Sequence, residues 1–66
     1  METTNDFKTM INMAIGEEKK AQKLYREMAN KAKDPFIKAI LEGLYEQEVS
    51  HEEKLRSLLS SIEPSI

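Results

Sequence analysis

Among the 12 acidic residues and the single histidine of this 66-residue chain, three residues are candidate metal ligands: Glu18, Glu48 and His51. The only histidine, His51, follows Glu48 by three residues, which places both on one face of a helix. Glu18 lies in the first half of the chain, far from both along the sequence. Carboxylate oxygens offset the charge of a divalent ion, and a neutral imidazole nitrogen is a ligand that suits iron. The three residues therefore predict metal chemistry if the fold brings them together.

The segment NKAKDP, residues 30–35, separates two sequences that favour helix. Asp34 can cap a helix through its side-chain oxygen, and Pro35 suits the first helical position, where its missing N–H is not needed. The flanking segments are rich in good helix formers, among them Ala, Glu, Lys and Leu. We therefore predict a single domain over 1–66, with a helix over about 5–32, a turn over about 30–35 and a helix over about 35–62.

In each predicted helix, steps of three and four residues select one mostly apolar stripe. The first stripe consists of Phe7, Ile11, Ala14, Glu18, Ala21, Tyr25, Met28 and Ala32. The second consists of Ile37, Leu41, Leu44, Glu48, His51, Leu55, Leu58 and Ile62. Glu18, Glu48 and His51 are the strongly polar members of the two stripes. Because a buried carboxylate without compensation is strongly destabilising, these positions need a partner charge or an ion.

The turn places the three polar residues at one height. Lys33 is equally far along the chain from Glu18 and from Glu48, so an antiparallel hairpin that turns there sets the two carboxylates at the same level. His51 is one turn farther along the same face as Glu48. Tyr25, two turns from Glu18, can donate a hydrogen bond to a ligand carboxylate. The alternatives are a polar layer that fixes helix register and a solvated face.

A hairpin of two helices buries only one side of each stripe, and a chain of this size without cysteine needs another source of stability. We expect a homodimer or a higher homo-oligomer, in which two antiparallel hairpins form a four-helix bundle. Two chains then supply four Glu and two His, the ligand set of carboxylate-bridged di-iron bundles. The prediction is two iron ions per dimer, although manganese fits the same ligands.

Charge and composition exclude several other classes of partner. The net charge of −2 and the pI near 5.4 argue against nucleic acid or a membrane surface. No apolar run has the length of a transmembrane helix or the form of a signal peptide, so a cytoplasmic location is expected. Glu17 and Glu52, which flank the candidate ligands, are interpreted as solvated charges on the helix faces.

Two segments carry a resemblance to a known family. AIGEEKKAQKLYREMA, with an Ala-Ile pair before the ligand Glu and a Tyr one heptad after it, resembles the first helix of ferritin-like di-iron proteins of the rubrerythrin type. LEGLYEQEVSHEEKLRSLL resembles their second, Glu-x-x-His helix. The resemblance implies that Glu18, Glu48 and His51 are iron ligands and that Tyr25 is the family's tyrosine. It also implies an oxidoreductase of ferroxidase or peroxidase type that oxidises Fe(II) with oxygen or peroxide.

The chain departs from that family in two respects. Most members fuse two hairpins, whereas this chain has one, as do the two-helix encapsulated ferritins, although SSIEPSI does not resemble their C-terminal targeting tail. The missing cysteines leave no rubredoxin centre, so a peroxidase would need an external electron donor. Two alternatives stay open: a non-catalytic helical-hairpin dimerisation module, and an iron-oxidising cargo protein of a larger compartment.

Overall fold

The chain folds as an antiparallel hairpin of two long helices. The computed structural model describes residues 3–62, in which helix α1 spans Thr3–Lys31 and helix α2 spans Pro35–Ile62. No strand is present in this described part of the chain. The all-helical, two-helix prediction is therefore confirmed, whereas assembly into a four-helix bundle stays a prediction. Neither helix has the length and hydropathy of a transmembrane segment within these residues.

The turn is fixed by Asp34, which caps α2. Its Oδ1 accepts hydrogen bonds from the backbone N–H groups of Phe36, at 2.8 Å, and Ile37, at 3.1 Å. These are the second and third residues of a helix that Pro35 begins, as expected for an N-cap. From the second turn of α2, Lys38 Nζ donates a 3.0 Å bond to the Ala29 carbonyl at the end of α1. A cationic side chain there satisfies one of the last carbonyls of α1 and ties the two helix ends together.

The buried core of the hairpin is small. In the described part of the chain, four apolar residues are buried: Ile11, Ile15, Ala29 and Leu41. Ile15 flanks the predicted stripe and Ala29 lies outside it. Within one hairpin, each helix contacts the other helix with only one side of its stripe, so residues next to that side are buried as well. Among the remaining stripe positions, Phe7, Met28, Ile37, His51 and Leu58 are exposed and the others are half-buried.

Large apolar side chains are consequently exposed along the hairpin. They are Phe7, Met10, Met13, Leu24, Met28, Phe36, Ile37, Ile40 and Leu58. Ile37 lies two heptads before His51 and Leu58 lies one heptad after it, and this spacing places both on the helix face that carries the histidine. Phe7 and Met28 lie on the corresponding face of α1, in heptad register with Ala14 and Ala21. One face of the hairpin is therefore apolar except at its centre.

Candidate metal centre

Glu18, Glu48 and His51 meet between the two helices. His51 Nδ1 lies 3.5 Å from Glu18 Oε1 and 3.4 Å from Glu48 Oε1. One ligand atom from each residue falls within 4.8 Å of the other two. The structure therefore brings together the three residues that sequence spacing singled out.

The helices position these side chains near their midpoints. Glu18 lies close to the middle of α1, and Glu48 lies close to the middle of α2. His51 follows Glu48 by one helical turn and projects from the same side of α2. Both helices are continuous here, so their backbones hold the three side chains on a rigid frame.

The carboxylate of Glu18 has an oxygen that lacks a polar partner. Its Oε1 is buried and accepts no hydrogen bond within the part of the chain that the structure describes. The two His51 distances exceed the usual 2.7–3.2 Å range of N–H···O bonds. A buried acceptor facing a second carboxylate and an imidazole is strongly unfavourable without a cation between them. The donor set of two carboxylates and an imidazole thus fits a divalent metal ion such as iron.

Burial differs between the carboxylates and the histidine. The side chains of Glu18 and Glu48 are 23% and 19% exposed, whereas His51 is 50% exposed. The carboxylates therefore lie inside the interhelical seam, and His51 stands at its edge on the apolar face. The ligand group of one chain opens towards that face.

A second polar cluster lies beside the ligands in the same seam, and sequence reasoning missed it. Gln22 Nε2 donates a 2.6 Å bond to Glu52 Oε1 and a 3.4 Å bond to the Glu48 carbonyl. Arg56 Nε donates a 2.7 Å bond to Glu52 Oε2. Hydrogen bonds from Gln22 and then from Arg56 lower the pKa of Glu52 below its ordinary value of 4.5.

This cluster corrects the interpretation of Glu52 as a solvated charge. The Glu52 side chain is only 18% exposed and bonds to both helices. Glu17, in contrast, is 72% exposed and pairs with Lys20 three residues on, as a surface charge does. The sequence feature that could have indicated this cluster is helical spacing: Gln22 follows Glu18 by four residues, and Glu52 follows Glu48 by four, so each lies one turn from a candidate ligand.

Tyr25 and the surface clefts contribute nothing visible to the ligand group. Tyr25 is half-buried on α1, and among the described residues no hydrogen bond joins it to Glu18, Glu48 or His51. Its role at the metal centre stays a prediction. Two open clefts, both lined by Arg26 and Tyr45, contain none of the three ligand residues. The Arg26 guanidinium stacks over the Tyr45 ring, 4.4 Å from its centroid, which assigns these clefts to surface packing.

A helical hairpin with a Glu on one helix and Glu-x-x-His on the other has the ligand pattern of half a carboxylate-bridged di-iron bundle. A family model described as Rubrerythrin matches residues 7–66, and the chain belongs to the rubrerythrin family, within the ferritin-like di-iron carboxylate superfamily. Members of this family typically bind iron. No significant match was found among the curated proteins or among the solved structures.

Proposed function

We propose that the protein is a ferritin-like di-iron protein that oxidises Fe(II) with oxygen or peroxide, at a site completed between two copies of the chain. The observation that carries this proposal is the meeting of Glu18, Glu48 and His51, with the Glu18 oxygen buried and without a hydrogen-bond donor in the described residues. Membership of the rubrerythrin family supports iron as the metal. Manganese satisfies the same ligands and is the alternative ion.

The ligand count of one chain supports a shared site. One chain offers two carboxylates and one imidazole, while two copies offer four carboxylates and two imidazoles, the full set of a di-iron bundle. Four carboxylates also balance the charge of two divalent ions. We therefore propose two iron ions per dimer, each capped by one His51 and held by Glu18 and Glu48 side chains.

The apolar face supports a second copy as the cover of the site. His51 is half exposed on this face, and Ile37 and Leu58, 51% and 40% exposed, lie on either side of it along α2. Phe7 and Met28 continue the exposed apolar surface on α1. A copy of the same hairpin offers a matching apolar face and a matching polar centre, as an isologous interface requires. Its arrival would bury the ligands and exclude water from them.

The bound iron supplies the redox chemistry, and the chain supplies the geometry. Iron held by Glu18, Glu48 and His51 would supply two electrons, one from each of two Fe(II) ions; these would reduce oxygen with two protons to hydrogen peroxide, or peroxide with two protons to two waters. Glu18 and Glu48 must be ionised and His51 neutral to bind the ions, so metal binding releases protons where these groups carry them. Repeated turnover with peroxide needs an external electron donor, whereas iron oxidation for handling or storage does not.

Anaerobic titration with Fe(II), followed by oxygen or peroxide, tests this function. We expect the near-ultraviolet absorbance of Fe(III) to rise faster than in buffer and to saturate at one iron per chain. Glu18→Ala should lose the saturable phase, while Glu17→Ala, which changes the neighbouring exposed carboxylate, should retain it. Oxidation no faster than in buffer by an intact dimer would reject the proposal and favour the dimerisation module, in which the three residues only fix register. Native mass of a large ring would instead favour the cargo alternative.

A further inference from the structure

We propose that Gln22 is a positioning residue of the metal centre: it holds the Glu52 carboxylate outside the ligand set, so that Glu18, Glu48 and His51 bind the ions without it. This inference rests on the proposed metal site. It assigns a role to a side chain that neither ligand spacing nor family membership singles out.

Each carboxylate oxygen of Glu52 accepts a hydrogen bond. Gln22 donates to its Oε1 from α1, at 2.6 Å, and Arg56 donates to its Oε2 from the next turn of α2, at 2.7 Å. Glu18 Oε1, in contrast, is buried without a donor in the described residues. Glu18 therefore offers a cation an oxygen that has no hydrogen-bond donor, whereas both oxygens of Glu52 already have one.

Without its donors, Glu52 has the position and charge to compete for the ion. It lies one turn after Glu48 on the same helix face, where side chains of residues four apart have Cβ atoms about 5–6 Å apart. It also follows His51 directly in the chain. A third carboxylate from each chain would give a dimer six carboxylates instead of four, and the two divalent ions would then carry an excess of negative charge.

The chemistry of the amide suits this role. Gln22 Nε2 carries two protons, and the structure gives it two acceptors, Glu52 Oε1 and the Glu48 carbonyl. The second contact, at 3.4 Å, ties the amide to the turn of α2 that carries Glu48. A neutral donor satisfies the carboxylate without adding a charge beside the ions, which a lysine at this position would do.

Co(II), which reports its ligands through its visible absorption, provides the test. The variant is Gln22→Met, which keeps length and helix propensity but removes the donor. An additional carboxylate ligand raises the coordination number of Co(II), so we expect its visible bands to shift and weaken. Lys23→Met, on the exposed neighbour, should leave the bands unchanged. The double variant Gln22→Met, Glu52→Gln should recover the wild-type spectrum, because the released carboxylate is then missing.

The outcomes separate this inference from the proposed function. A wild-type spectrum in the Gln22→Met protein, or an altered spectrum that persists in the double variant, would overturn the role of Gln22 while leaving the metal site intact. The single variant Glu52→Gln checks the point independently: an unchanged Co(II) spectrum and stoichiometry support exclusion of Glu52, and a changed spectrum overturns it. If His51→Ala retains the wild-type spectrum, the proposed metal site itself fails, and this inference fails with it.

Discussion

Among the single residues, Glu18 separates this site from an ordinary surface ion pair. A carboxylate on the surface is solvated by water or paired with a mobile cation, and replacing that carboxylate changes the stability of the protein little. Glu18 Oε1 is instead buried near a second carboxylate and has no hydrogen-bond donor in the described part of the chain. An arrangement that is unfavourable without metal and favourable with it is typical of a binding site, where stability is exchanged for function.

The metal-free protein should therefore become more stable when Glu18 is replaced by an apolar residue. We expect Glu18→Leu to raise the free energy of unfolding by about 1 kcal/mol in the presence of a chelator, since it removes an unsatisfied buried acceptor. The matched control is Glu17→Leu, at the exposed neighbouring carboxylate, which should change stability by no more than about 0.5 kcal/mol. Urea denaturation at fixed protein concentration measures both. A less stable Glu18→Leu protein would show that the oxygen is already satisfied.

The Glu52 hydrogen bonds should appear as a pH dependence of stability. Because the pKa of Glu52 in the folded chain lies below its ordinary value of 4.5, the carboxylate stabilises the fold above about pH 4.5. That contribution is lost as the pH falls through the lowered pKa. Without metal, the melting temperature of the wild type should fall more between pH 6 and pH 3 than that of Glu52→Gln. Glu53→Gln, an exposed neighbour, should follow the wild type; parallel curves for all three proteins would contradict this assignment.

At the scale of the helices, side-chain hydrogen bonds fix the turn. The Asp34 carboxylate caps α2, Pro35 begins it, and Lys38 returns to the end of α1. The turn sets the relative height of the two helices, so it also sets the height of Glu18 against Glu48. A local capping motif thus determines whether residues from opposite halves of the chain can share an ion.

Replacing the cap should weaken the whole hairpin. Asp34→Ala removes the acceptor of two backbone N–H groups and should destabilise the protein by about 1 kcal/mol. Asp34→Asn keeps an acceptor oxygen at the same position and serves as the conservative control, with most of the stability retained. Thermal unfolding monitored by circular dichroism compares the two variants. Equal loss in both would mean that the negative charge, and not the hydrogen bonding, stabilises the turn.

The sequence predicted those features that depend on local or periodic signals. The helices, the Asp34 cap and the meeting of the ligand residues follow from turn chemistry and a period near 3.6 residues. The stripe includes two of the four buried residues, Ile11 and Leu41, but not Ile15 and Ala29, because within one hairpin each helix contacts the other with only one side of its stripe. The contact between Gln22 and Glu52 joins the two helices through one amide. Helical spacing places each residue one turn from a ligand, but it does not predict that the two side chains bond to each other.

At the scale of the whole molecule, the exposed apolar face and the midpoint position of the ligands bear on how two chains pair. A two-fold axis perpendicular to the helices reverses one hairpin end for end. Ligand layers of the two copies then coincide only if they lie near the helix midpoints, where Glu18 and Glu48 do lie. A two-fold axis parallel to the helices brings the two ligand layers to the same level wherever they lie along the helices, so it does not require a position near the midpoints. The geometry therefore favours a dimer with its turns at opposite ends.

Spin labels at the turn measure this arrangement directly. The chain contains no cysteine, so Lys33→Cys creates a single labelling position far from the ligands. Opposite-end turns should place the two labels roughly 40 Å or more apart, from the 1.5 Å rise per residue of helices as long as these. A separation under roughly 25 Å would place both turns at one end, by the same helical rise, and would reject the perpendicular axis.

The shared di-iron site is the central claim, and native mass spectrometry of the protein loaded anaerobically with Fe(II) tests it most directly. The wild type should appear as an assembly of an even number of chains that holds one iron per chain, and chelation should remove the iron. Glu18→Ala, Glu48→Ala and His51→Ala should each assemble without tightly bound iron, whereas Glu17→Ala should match the wild type. Iron bound to a monomer, or full loading of the Glu18→Ala protein, would contradict a site that two copies of the chain complete.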